Sequence, residues 1–348
     1  MKFRLFTPWY LFFLLPCCVF FFQYPRTVFA GGGKEKTSNF PGSESVSVPG
    51  SSMVTGTPPE TGESRRGQGN TADNNPVNDR AEAVFRAIAK AYPDRIGEIE
   101  FLDGDWNIEV YGEKFFYADG RLLPVSLKDR RNEYDPQPFY NYPAELPPWQ
   151  PPTMEESEAM KEQDARRRTR QPKRSPHFYD TLWRTHNRDE SWEHVKQIRF
   201  LGHAVMVHYS ILVQLSLVEE QILRMAKTNT AVSRWVNNIK SIDGWNWRNI
   251  AESQSRSYHA YGAAIDFLPK SLGGLETYWL WTANHTPEWW TVPYTRRFHP
   301  PQEVINAFES YGFIWGGKWR YYDTMHFEYR PEILVLSGII QKDLRELR

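Results

Sequence analysis

A carboxylate stands inside an apolar run. Residues Ala263-Ala264-Ile265-Asp266-Phe267 are small or apolar except for Asp266. A run of that kind suits a buried strand, and a carboxylate within such a strand is costly unless something cationic pairs with it. The local fold must therefore bring a partner to position 266. Upstream, Gly262 allows a tight turn that carries His259 back beside Asp266. A second strand-like segment, Met325 to Tyr329, follows Tyr322-Asp323-Thr324. Alternate side chains of a strand share a face, so His326 and Glu328 point one way and Met325, Phe327 and Tyr329 the other. Asp323 sits where that strand begins.

The only cysteines are Cys17 and Cys18. The rest of the chain can hold neither a disulfide framework nor a thiolate zinc finger, so any metal must use His, Asp or Glu. His259, Asp266 and His326 would give zinc two neutral imidazoles and one carboxylate. That set leaves one coordination position open, which is the composition of a catalytic rather than a structural site. Water in the open position is acidified toward a pKa of roughly 7. Asp323 is the first choice for the general base. Glu328 is the competing choice, and otherwise holds a ligand histidine in place. On spacing alone, histidines packed beside an apolar strand account for the same residues, and both readings stay open at this point.

The chain has 348 residues, 42 basic and 42 acidic, with a formal net charge of zero. That balance argues against nucleic-acid binding by bulk electrostatics. Residues 1–30 read as a secretory signal: Lys2 and Arg4 precede an apolar stretch from Trp9 to Phe22, and Val28-Phe29-Ala30 resembles a cleavage site. Lipidation at Cys17, within Leu14-Leu15-Pro16-Cys17, and a retained membrane anchor are the alternatives. All three place the body outside the cytoplasmic membrane, in the periplasm or cell envelope. Residues 31–77 are rich in Gly, Ser, Thr, Pro and Asn, and read as a disordered linker.

Folded structure is expected from near Asn78, with Asp79 and Glu82 as a capping box and a helix stopped by Pro93. Strands are predicted at Ile96 to Leu102, Trp106 to Tyr111 and Lys114 to Ala118. Residues 128–176 are a Pro-rich charged excursion with one exposed helix from Met154 to about Arg168, and the arginines at 166–168 read as a solvated face. Residues from Ser191 to about Ile239 show helical spacing, with a break near Thr228-Asn229-Thr230. On such a helix His203 and His208 share no face, which argues against a metal site there. His285-Thr286-Pro287-Glu288-Trp289-Trp290 resembles a metalloprotease fragment, but it has no second histidine at ligand spacing, and Pro287 disrupts a helix. It reads as an aromatic loop, either packing or lining a groove.

Ser257-x-His259-x-x-Gly262-x-Ala264-x-Asp266 resembles the first signature of the zinc D-Ala-D-Ala carboxypeptidase and L-Ala-D-Glu endopeptidase family. That family includes phage endolysins and vancomycin-resistance peptidases. Asp323-x-x-His326-Phe327-Glu328, after Gly312-Phe313-Ile314-Trp315-Gly316-Gly317, is similar to the second signature in its endolysin-type branch. The resemblance covers roughly residues 240–330. It implies zinc ligands at His259, Asp266 and His326 and a catalytic acid/base at Asp323. It also implies a substrate contact at Ser257, and Arg256 as a group for a substrate carboxylate or the oxyanion. Two departures bear on which bond is cut. Lys318 stands where the endolysin pattern is acidic, and Asp323 replaces the Glu-x-Trp-His of the dipeptidase branch.

The implied fold is α+β: a small antiparallel sheet with helices packed on it, as in hedgehog-like and lysostaphin-like proteins. An N-terminal helix-hairpin region (78–190) would precede a zinc peptidase domain (191–348, motif core 240–330). The expected function is zinc-dependent hydrolysis of peptidoglycan stem peptides. The alternative is a non-catalytic, zinc-containing envelope-binding protein, which would not need Asp323.

Overall fold

Alternation and helical spacing both appear where the apolar residues demand burial. The computed structural model describes residues 76–340. The expected signal segment, Cys17 and the linker up to residue 75 lie outside the described residues. The first helix, α1 (Pro76–Ala91), buries Val84, Phe85 and Ile88. Each such side chain contributes roughly 1.5–3 kcal/mol on burial. The helix starts inside the stretch expected to be linker, and Asp79 lies within its first turn rather than capping it.

Strands β1 (Ile96–Leu102), β2 (Asp105–Val110), β3 (Glu113–Phe116) and β4 (Leu123–Pro124) form an antiparallel meander. Helix α2 (Met154–Thr169) follows, and its Thr153/Glu156 capping box is complete. Of its residues only Met160 and Asp164 are buried. Met160 packs with Trp279, Trp289 and Tyr322. Arg166 and Arg168 pair with Glu162 and Asp164 one turn back, and Arg167 lies over the rings of Trp279 and Tyr321.

Two short helices, α3 (His177–Trp183) and α4 (Arg188–His194), lead into the main departure from expectation. Residues expected to continue a helix form a hairpin, β5 (Val195–Phe200) and β6 (His203–His208), paired residue for residue. Leu201 and Gly202 both take positive φ, at 47° and 84°. That is the tight turn suited to the twist of two strands. The β-branched residues Val195, Ile198, Val205 and Val207 fit the pleat as well as they fit a helix. Helices α5 (Leu212–Ala226) and α6 (Thr230–Asn237) then follow, with Asn229 capping α6 at the expected break.

The last sheet carries the polar cluster. Its order is β7 (Ile239–Asp243), β8 (Ala264–Pro269), β10 (His326–Tyr329), β9 (Phe313–Trp315), antiparallel throughout. Helix α7 (Trp279–Ala283) lies in the loop after β8. Helix α8 (Gln302–Ser310) packs under the sheet, where Phe308 stacks on Phe327 at 4.1 Å between ring centres. Helix α9 (Pro331–Leu336) packs against α1. One apolar core runs from Ala81 to Ile340, and by their contacts residues 76–340 belong to one compact unit. The fold is α+β.

Candidate metal centre

Register sets the site. Asp266 on β8 lies directly opposite His326 on β10, and also opposite Asp243 on β7. These three side chains therefore share one face of the sheet. On the other face, Ile265, Phe267 and Phe327 enter the core. The carboxylate inside the apolar run thus points away from its apolar neighbours, as strand alternation requires.

His259 arrives from a 3-10 turn, Tyr258–Tyr261, that ends at Gly262 with φ +68°. A side chain at 262 would meet the His208 backbone nitrogen at 2.7 Å and Val195 at 2.8 Å. Only glycine provides both that backbone conformation and that clearance. Ser257 caps the turn by accepting from the His259 backbone N–H at 3.4 Å.

Nδ1 of His259 lies 2.7 Å from the carbonyl oxygen of Gly244. A carbonyl only accepts, so Nδ1 carries the hydrogen and Nε2 presents its lone pair. That Nε2 stands 3.1 Å from Asp266 and 3.2 Å from Nδ1 of His326. His326 Nδ1 is also 2.8 Å from the other Asp266 oxygen, while its Nε2 is 3.1 Å from Glu328. One donor atom from each of His259, Asp266 and His326 lies within 4.8 Å of the other two.

The donor set fits a divalent metal. Two imidazole nitrogens and a carboxylate converge on one point. A metal ion would be held by all three, and Gly244 and Glu328 face the outer nitrogens, as partners of metal-bound histidines do.

The electrostatics reflect this crowding. Burial disfavours the charged form of Asp266, but His259 and His326 outweigh it and hold the carboxyl well below the usual carboxylate range. Burial likewise opposes the charged form of His326. Hydrogen bonds to Asp266 and Glu328 outweigh it and lift the imidazole to about 10. Asp323 moves the other way: burial, then the nearby Asp266 charge, pushes its carboxyl up to about 6. Asp323 thus shares the electrostatic space of the triad without belonging to the converging set. Its Oδ1 accepts from the Met325 backbone N–H at 3.3 Å.

Arg256 and Ser257 are occupied elsewhere. Arg256 pairs with Asp180 at 3.3 Å and stacks over Trp247, and Ser257 is buried in its capping role. In the loop with the protease-like look, Trp289 is fully buried, and His285 lies 3.0 Å from Glu276. His203 and His208 lie an odd number of residues apart on β6, so they face opposite ways.

Sequence reading missed Asp243, Tyr278 and the support behind His326. Asp243 ends the short strand Ile239–Asp243, whose apolar residues Ile239 and Ile242 are three apart, so no alternation marked it in the sequence. Tyr278 bridges to Asp323. Burial, then the Asp323 charge, pushes its hydroxyl up to about 12. The support is Arg330, which faces Glu328 at 3.4 Å and is bonded to Glu332.

Residues 84–139 match a family model described as a domain of unknown function. No curated protein and no solved structure matches the chain. Residues 251–329, which hold all three converging side chains and Asp323, match the family model described as D-alanyl-D-alanine carboxypeptidase. The segment that builds the site is peptidase-like.

Proposed function

We propose that this chain is a zinc-dependent peptidase that hydrolyses a peptide bond in peptidoglycan stem peptides, of the D-Ala-D-Ala carboxypeptidase or L-Ala-D-Glu endopeptidase type. The observation that carries the reading is the convergence of His259, Asp266 and His326 on one point, with a second carboxylate, Asp323, beside them. A purely structural metal would leave Asp323 without a task. The peptidase-like segment and the exported character expected of the N-terminus support the same reading.

Zinc, when bound, supplies an acidified water and polarises the scissile carbonyl. The chain's residues do the rest. His259 and His326 are held in single orientations by Gly244 and Glu328. Asp266 completes the ligand set. Asp323 takes a proton from the attacking water and passes it to the leaving amine. Tyr278, the backbone bridge partner of Asp323, would be a contact for the bound peptide.

The test is incubation of the purified protein with peptidoglycan fragments, with and without a chelator, read by mass spectrometry. Loss of one stem-peptide bond that chelator prevents and zinc restores is the expected result. Intact fragments in the presence of zinc would refute the proposal.

A further inference from the structure

A cavity of about 260 Å³ opens between the β5–β6 hairpin and the end of β7. Gln197, Met206, Asp243, Gly244, Trp245 and Asn246 line it. It adjoins the metal centre through two of them. Asp243 is the strand partner of Asp266, and the Gly244 carbonyl accepts from His259. Gly244 is obligatory here, since a side chain at that position would meet the Met206 carbonyl oxygen at 2.1 Å. The close approach of β7 to β6 brings the cavity against the ligand histidine.

The wall is aromatic and rigid. The Trp245 indole N–H donates to Ser191 Oγ at 2.8 Å, and Ser191 donates to the Ala260 carbonyl at 2.7 Å. The only polar atom of that indole is therefore spent, and its half-buried ring lines the cavity as apolar surface. Trp192 continues the surface, its ring 5.2 Å from that of Trp245, and is 54% exposed. One carboxylate and two carboxamides also line the cavity. Among the described residues, the side chains of Gln197, Asp243 and Asn246 make no hydrogen bond to the protein.

This combination matches one ligand chemistry best. A pyranose ring has an apolar C–H face that stacks on an indole and an equatorial rim of hydroxyls. Each hydroxyl both donates and accepts, and planar carboxylate and carboxamide groups answer it in both senses. A cationic peptide side chain would use Asp243 but would leave the two carboxamides and the Trp192 face without a purpose.

We infer that this cavity is a carbohydrate subsite that holds an N-acetylated hexose of the wall glycan beside the metal centre. The choice of polymer rests on the peptidase reading above, and the ligand chemistry rests on the cavity itself. With the sugar seated next to His259 and Asp266, the bond presented for hydrolysis is near the glycan rather than at the far end of the stem peptide.

The test separates the two readings. N-acetylglucosamine tetrasaccharide, which carries no peptide, is titrated into chelator-treated protein and followed by tryptophan fluorescence and calorimetry. Saturable binding is expected, weakened by roughly tenfold or more in Trp192→Ala and in Asn246→Ala, each judged folded by an unchanged thermal transition. Absence of saturable binding would overturn the inference, as would binding that both variants leave intact. Because neither metal nor hydrolysis enters the measurement, a protein that binds the sugar but cuts nothing refutes only the peptidase reading. One that cuts peptidoglycan but ignores the sugar refutes only the subsite.

Discussion

Nε2 of His326 stands 3.1 Å from a carboxylate oxygen of Glu328, two residues along the same strand face. Both side chains are buried. Behind Glu328 the fully buried Arg330 bonds to Glu332, and Glu332 accepts from Tyr92 at the end of α1 and from Tyr179 of α3. The imidazole that faces the candidate metal position is therefore oriented by a polar chain that reaches the N-terminal elements.

Glu328→Ala should lower metal affinity and activity together, by roughly 10- to 100-fold, the usual cost of losing a carboxylate behind a ligand histidine. Glu328→Gln keeps an acceptor for Nε2–H and should recover part of the loss. Competition with a chromogenic zinc chelator measures the affinity directly. Unchanged affinity in the alanine variant would show that Glu328 does not orient His326.

His259→Ala and Asp323→Asn should fail differently. Removing His259 deletes one converging donor, so metal content and hydrolysis should disappear together. Asp323→Asn should keep the metal and lose turnover by roughly 10²- to 10⁴-fold, the typical contribution of a positioned proton-transfer group. Elemental analysis beside turnover distinguishes the two. Loss of metal from the Asp323 variant would make Asp323 a ligand rather than the base.

Much of the site was legible because its signals are local. Asp266 in an apolar run, Gly262 at a forced turn, and His326 alternating with Glu328 each state a requirement within a few residues. Their meeting is a matter of register, which pairs 266 with 326 and which no single segment encodes. The same limit explains Asp243, whose importance comes from lying across from Asp266. The β5–β6 hairpin was misread because Ile198, Leu201 and Val205 satisfy helical spacing while the surrounding residues satisfy alternation. The turn at Leu201 and Gly202 decides between them. Arg256 and Ser257 looked available for substrate because their partners, Asp180 and the local backbone, are visible only in three dimensions.

Lys318, which departs from the endolysin pattern, is a fully buried cation. Its ammonium donates to Glu309 at 2.6 Å and to the carbonyls of Pro143 and Ala144 at 3.0 and 2.7 Å. Glu309 also accepts from Tyr142. Lys318→Met should destabilise the fold by about 3–5 kcal/mol, because Glu309 stays buried without its cation. Adding Glu309→Gln should recover part of this. Urea unfolding of the single and double variants gives the comparison.

Acid should weaken the fold through His208. Its Nε2 donates to the Trp183 carbonyl at 3.0 Å, while Nδ1 accepts from the Ser210 backbone N–H. Burial, then the nearby Arg95 charge, lowers its pKa from the ordinary 6.5 to about 3. The unfolded chain therefore takes up this proton first as pH falls. The contribution of neutral His208 is fully present above pH 6.5 and is lost progressively down to about pH 3. The loss is on the order of 5 kcal/mol. His208→Gln keeps a donor for Trp183 without a titrating ring, so it should flatten the dependence of unfolding free energy on pH over this window. An equally steep dependence in the variant would assign the acid sensitivity to other groups.

A fragment holding only residues 240–348 contains every converging side chain, yet it should not fold. The core that supports β8 and β10 is shared with α1, α3 and the β5–β6 hairpin. Tyr92 and Tyr179 bond to Glu332, Tyr142 bonds to Glu309, and the His208 backbone N–H donates to the Gly262 carbonyl at the turn that delivers His259. Cutting at 240 strips these partners and leaves Glu332, Arg330 and Glu309 without the neighbours that make their burial tolerable. The fragment should show no cooperative unfolding transition and no stoichiometric metal binding, whereas a chain starting at residue 76 should show both. Circular dichroism melts and metal titration on the two decide the matter. A fragment that melts cooperatively and binds metal would mean that the N-terminal elements are an appendage rather than part of the scaffold of the site.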